Sequence, residues 1–116
     1  MKKEKRICKN YEFSSIIQNR NFFKSSSYIL YFKDRNLEYA RVGISVGKKI
    51  GNAVQRNRVR RQVRSMVDSL FDFSEAYDVI LIVRPSYLTR SYQENLDDLK
   101  KVKNRVNQKY KREGTL

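Results

Sequence analysis

The run DVILIVR, Asp78 to Arg84, limits the fold more than any other stretch of this chain. Its interior is apolar without alternation and rich in β-branched residues, as in a strand buried on both faces. The longest apolar segment, Val79 to Val83, is far too short to span a bilayer. The run is therefore read as a strand inside a protein sheet, and that sheet needs helices to cover it.

The rest of the 116-residue chain supplies those neighbours. Asn10 is placed to cap a short helix to about Asn19, with Phe13, Ile16 and Ile17 on one face. From about Phe22 to Lys33 the chain reads as strand, YILYF being aromatic and β-branched. A turn around DRNLE, with Asp34 and Asn36 as turn formers, leads to a second strand from about Tyr39 to Val46. These two strands are expected to form an antiparallel pair. Asn52 and Gln55 have capping-box spacing and open a helix to about Leu70. Ser91 and Glu94 repeat that spacing and open a last helix, with Leu96, Leu99, Val102 and Val106 on one stripe. The order is α-β-β-(β)-α-β-α, the bracketed member being a short extra strand before Tyr28. The fold class is α+β, a small single-domain two-layer sandwich over residues 1–116, with frayed ends at about 1–9 and 111–116.

Charge is arranged in blocks. The net charge is +14, from 26 basic and 12 acidic residues. Arg41 to Arg64 holds eight bases and no acid, Ser65 to Leu99 seven acids and two bases, and Lys100 to Arg112 seven bases and no acid. Within KKIGNAVQRNRVRRQVR, five of the nine residues from Arg56 to Arg64 are arginine. At 100° per residue Val59, Val63, Met66, Val67 and Leu70 share one stripe, which packs on the sheet. Asn57, Arg60, Arg61 and Arg64 then project on the other side, Arg58 lies further round, and Arg56 sits at the stripe's edge. A solvated helix face would carry acids four residues from its bases. Between Lys48 and Asp68 there are none, so this face meets a polyanion. The guanidinium fork fits phosphate bidentately and stacks on bases, which lysine does less well. Lys48, Lys49 and the N–H groups after Asn52 add a helix start suited to phosphate.

Several function classes fall away. There is no histidine, hence no histidine acid/base step and no histidine metal site. Asp97 and Asp98 are neighbours on a helix, diverge, and cannot jointly clamp a metal. The basic turns lack the large aromatics of a membrane-surface helix. No companion helix precedes Asn52, so a helix-turn-helix is disfavoured. A single cysteine, Cys8, with no apolar signal segment at the start, fits a soluble cytoplasmic protein. The residues alone thus define an RNA- or DNA-binding protein without a catalytic or metal site of its own.

ARVGISVGKKIGNAVQRNRVRRQVR closely resembles the Arg-Asn-Arg signature of the protein subunit of bacterial ribonuclease P. NYEF near the start and DVILIVR before the last helix extend the resemblance over nearly the whole chain. The resemblance implies a holoenzyme that removes the 5′ leader of precursor tRNA by hydrolysing one phosphodiester bond. Catalysis there belongs to a partner RNA, which binds most of the Mg²⁺. The protein stabilises that RNA, raises its metal affinity and holds the leader, with one protein expected per RNA. Carried over by motif, Arg56, Asn57, Arg58, Arg60, Arg61 and Arg64, with Lys48, Lys49 and Asn52, face the catalytic RNA. Phe13, Ile17 and Tyr31 fall at the positions of a leader-binding cleft, where aromatic faces stack bases with little sequence preference. The resemblance also implies a left-handed β-α-β crossover, against the usual rule.

Two positions depart from the family pattern. The family often has a second aromatic where this chain has Ile17, and a glycine near Arg20. The competing reading is a structural RNA-binding protein, such as a ribosomal protein of similar fold.

Overall fold

The computed structural model describes residues 1–112. The elements are helix α1 (Asn10–Gln18), strands β1 (Phe22–Lys24), β2 (Tyr28–Asp34) and β3 (Val42–Ser45), helix α2 (Ala53–Leu70), strand β4 (Tyr77–Val83) and helix α3 (Tyr92–Arg112). One mixed sheet runs in the order β1-β2-β4-β3.

DVILIVR lies in the interior strand its composition demands. β4 pairs antiparallel with β2, Leu30 opposite Leu81, and parallel with β3, Ile44 opposite Leu81. The expected antiparallel pairing of the second and third strands does not form, because β4 is inserted between them. The long strand expected over Phe22–Lys33 is broken at three serines: Ser25 N–H donates to Tyr28 O (2.8 Å), and Tyr28 N–H donates to Ser25 Oγ (3.1 Å). The bracketed short strand is β1.

Alternation then divides the residues between the faces. Tyr28, Leu30 and Phe32 of β2 with Val79, Leu81 and Val83 of β4 join Val59, Val63, Met66 and Val67 of α2 and Leu99, Val102 and Val106 of α3 in the main core. Ile80 packs on the opposite face with Ile7 and Ile16, beside Phe13, Ile17, Tyr31 and Ile82, so α1 covers that side. Gly43 makes the close approach possible. A Cβ there would stand 2.7 Å from Ile80 Cδ1 and 2.9 Å from the Phe13 ring, inside the limit of real contacts.

Two end readings are corrected. Asn10 is the first helical residue, and Lys9 stands at the cap without a side-chain bond. Residues 1–9 are not frayed: the N-terminal ammonium reaches Asp68 at 2.8 Å, Ile7 N–H donates to Val42 O (3.0 Å), and Ile7 is buried. At the other end α3 continues through Lys111 and Arg112, and the rest of the expected fray lies outside the described residues.

Candidate RNA interface

α2 begins with the capping box its sequence announces. Gln55 N–H donates to Asn52 Oδ1 and Asn52 N–H to Gln55 Oε1, both at 2.9 Å. Gly51 precedes it at φ 143°, and a Cβ there would collide with Gln55 Oε1, so the box depends on that glycine. Asn52 is therefore a cap with its carboxamide oxygen already engaged. Arg58, Arg61 and Arg64 are exposed, while Arg56 and Arg60 are half-buried. Arg56 Nη1 donates weakly to Gly51 O at 3.4 Å, and Arg60 Nη1 donates to Asn57 Oδ1 at 3.0 Å. Among the described residues, the ion pairs involve Met1, Arg41, Arg90 and Lys103, and none of the α2 arginines. Lys48 and Lys49 are exposed on a 3₁₀ turn anchored by buried Ile50.

The α1 face is built differently. Phe13, Ile17 and Tyr31 are all half-buried around Ile16, Ile80 and Ile82, so the structure brings these three residues together. Arg41 ties the helix to the sheet: its Nη2 lies 2.6 Å from Glu12 and 4.0 Å from Asp78. Burial raises the Asp78 carboxyl above its ordinary range, opposed by the Arg41 N–H bond (2.9 Å) and the Arg41 charge. Sequence reasoning missed Phe22. Its ring sits 5.2 Å from that of Tyr31 and remains exposed, giving the groove a second aromatic face in place of Ile17. Its signal was the register of a β1–β2 hairpin, in which Phe22 opposes Tyr31. The missing glycine is also explained: Arg20 itself takes the left-handed conformation, φ 59°, at the exit of α1.

The two faces meet around β3, which lies at the edge of the sheet. A hollow of about 250 Å³ is lined by Arg6, Phe13, Ile44, Arg60 and Arg64 among others. A neighbouring hollow shares Cys8, Phe13, Ile44 and Arg60 with it. Arg60 thus shares both hollows with Phe13, whereas Arg61 lines neither. Among the described residues, no three histidine, cysteine, aspartate or glutamate side chains are grouped to hold a metal ion. No described helix is long and apolar enough to cross a membrane.

Fold and charge together define a small basic α+β protein that presents a cationic helix beside an aromatic groove, the equipment of nucleic-acid binding. A family model described as Ribonuclease P matches residues 1–107. The ribonuclease P protein component of Mesoplasma florum is 41% identical over 106 residues, spanning 88% of this chain and 94% of its own. That of Mycoplasma mycoides is 44% identical over 96 residues, 79% and 86% of the two chains. The solved ribonuclease P protein of Staphylococcus aureus superposes with a TM-score of 0.80 at 28% identity, over 88% of this chain and 94% of that one. The chain belongs to the ribonuclease P protein family, as a protein component of the holoenzyme and of tRNA processing. The ribosomal-protein reading falls with that match.

Proposed function

We propose that α2 binds the catalytic RNA of ribonuclease P and that the groove under α1 binds the single-stranded 5′ leader of precursor tRNA. The observation that carries this reading is that, among the described residues, no arginine of α2 is paired with an acid. Five arginines on one helix repel each other until phosphates neutralise them. The groove differs in kind, since Phe13, Phe22 and Tyr31 offer ring faces to unpaired bases of any sequence. Arg41, held by Glu12 and Asp78, fixes α1, and with it Phe13, over the sheet.

Hydrolysis of the leader phosphodiester belongs, on this reading, to the RNA and its Mg²⁺, whose role is to activate the water and stabilise the leaving oxygen. The protein lowers the Mg²⁺ requirement by neutralising phosphates that would otherwise repel one another in the folded RNA. The test is precursor-tRNA cleavage at low Mg²⁺ with RNA alone, protein alone and both together. Processing by the pair, slow cleavage by RNA alone and none by protein alone are expected. Cleavage by RNA-free protein would overturn the assignment.

A further inference from the structure

A second cavity, of about 350 Å³, lies on the far flank of α2 from the groove. It opens between the first half of α2, the 3₁₀ turn Pro85–Thr89 and the first turn of α3. We propose that it takes one unpaired nucleotide of the catalytic RNA, the base stacked on Tyr92 and its acceptors met by Gln55, Arg58 and Gln62. This rests on the reading that α2 faces that RNA.

The cavity is fixed, and it is short of acceptors. Asn95 forms part of its wall and is 1% exposed. The Asn95 amide is already satisfied: Oδ1 accepts from Ser27 Oγ at 2.5 Å, and Nδ2 donates to Tyr87 O at 3.1 Å. Tyr87 Oη donates to Gln62 Oε1 at 2.8 Å, and burial pushes that phenol up to about 12, so it keeps its proton. Gln55 Oε1 accepts the Asn52 N–H of the capping box. Both glutamine carbonyls are thus used inside the protein, leaving two amide NH₂ groups and the Arg58 guanidinium for a ligand, beside Arg90, which is engaged with Asp98 at 3.9 Å and Ser27 Oγ at 3.4 Å. No carboxylate lines the cavity. The Glu94 and Asn95 N–H groups at the start of α3 are not free for a ligand, since both are bonded to Ser91.

The apolar part is equally specific. Tyr92 is 43% exposed and Leu88 49%, and both line the cavity. Val54, 77% exposed, lies one helical turn before Arg58. Large apolar side chains exposed beside an unpaired arginine mark a contact surface. The Lys48–Ile50 turn packs against Pro85–Thr89, so one wall of the cavity stands beside the turn that carries Lys48 and Lys49. A part-exposed tyrosine ring, donors without acceptors and a neighbouring guanidinium are what an extruded base and its phosphate require. The volume falls within the range of small-ligand sites, roughly 300–1,000 Å³.

The full chain is titrated with catalytic RNA, and with RNAs carrying single abasic substitutions at unpaired positions. Tyr92→Ala should weaken binding about 5- to 150-fold, the value of one base stack, without changing the salt slope. Tyr92→Phe should bind as wild type. Leu88→Asp, which places a carboxylate at the mouth, should lose affinity as well, and thermal melts confirm that both variants fold. One abasic position should cost the wild type the same factor and cost Tyr92→Ala nothing more. If folded Tyr92→Ala and Leu88→Asp bind like wild type while Arg61→Ala is weakened, the cavity assignment is overturned and the α2 reading stands. If no abasic position couples to Tyr92, the nucleotide is wrong and a protein partner becomes the occupant to test. If wild type fails to bind the catalytic RNA, the α2 reading itself falls.

Discussion

The groove under α1 and the outer face of α2 meet at Arg60, yet they are held by opposite physics. Under α1 the charges are paired, Glu12 with Arg41 and Arg41 with Asp78, and the rings pack on Ile80 through the space left by Gly43. Along α2 no arginine is paired with an acid among the described residues, and the helix is held by its cap and by Val59, Val63, Met66 and Val67 on its buried side. On the proposed reading the groove contributes to folding as well as to binding. On the same reading the outer face of α2 contributes to binding alone and costs a little stability through self-repulsion. Substitutions should separate along that line.

The largest effect is expected where the groove is tightest. Gly43→Val should destabilise the protein by about 1–3 kcal/mol through overpacking against Ile80 and Phe13, read as a lower melting temperature. An unchanged melt would mean that Phe13 is not seated on the sheet. Next, Phe13→Ala should weaken precursor-tRNA binding by about 1–3 kcal/mol, one lost stack, and leave mature tRNA nearly unaffected. Arg60→Ala should also penalise the precursor more than the mature form, because Arg60 lines the hollow with Phe13. Arg61→Ala should penalise both alike. Equal losses of precursor and mature binding in a folded Phe13→Ala protein would remove the leader from this groove.

Arg20 offers a gain. Its left-handed backbone costs roughly 1–2 kcal/mol, while a glycine there gives back about 0.5–1 kcal/mol in chain entropy. Arg20→Gly should therefore raise stability by roughly 0.5–1 kcal/mol in a denaturant titration, and a lower midpoint would refute the strain. Smaller still, Arg61→Ala should leave stability unchanged or higher by about 0.2–0.5 kcal/mol. The same variant should make the fall of log K for RNA with log salt shallower by about one contact, on a wild-type slope of roughly −3 to −5. Loss of thermal stability in that variant would show that the α2 cations do structural work.

The smallest effect is on pH. The Ser91 N–H and hydroxyl bonds hold Glu94 below its ordinary 4.5. A depressed carboxylate contributes stability above its unfolded pKa, and that contribution is lost as pH falls through the folded value. Hydrogen exchange in the first turn of α3 should quicken over that acid window in wild type and show no such step in Glu94→Gln.

Much of α2 was legible beforehand. Its cap, its apolar stripe and the direction of Arg61 all follow from residues within a few positions of one another. The groove was legible in part. Phe13, Ile17 and Tyr31 do come together, but Phe22 enters only when the hairpin register puts it opposite Tyr31. The break that creates that hairpin rests on serine side chains bonding to backbone, an alternative to strand that a β-rich composition hides. Arg60 was read on the cationic face and also lines a hollow with Phe13, because periodicity sets an angle around the helix axis and says nothing of what stands opposite.

By itself the sequence determined the elements, the charge they carry and the strand that must be interior. These are local properties, fixed by spacing along a helix or strand. The tertiary structure alone decided that β4 lies between β2 and β3, that Gly43 makes room for Phe13, that Arg20 turns left-handed, and that Tyr92 comes to lie beside Arg58 and Gln62. Closing a longer loop costs little more than closing a short one. Which strands become neighbours is therefore settled by the fit of buried faces far apart in the chain, and no local pattern records that fit.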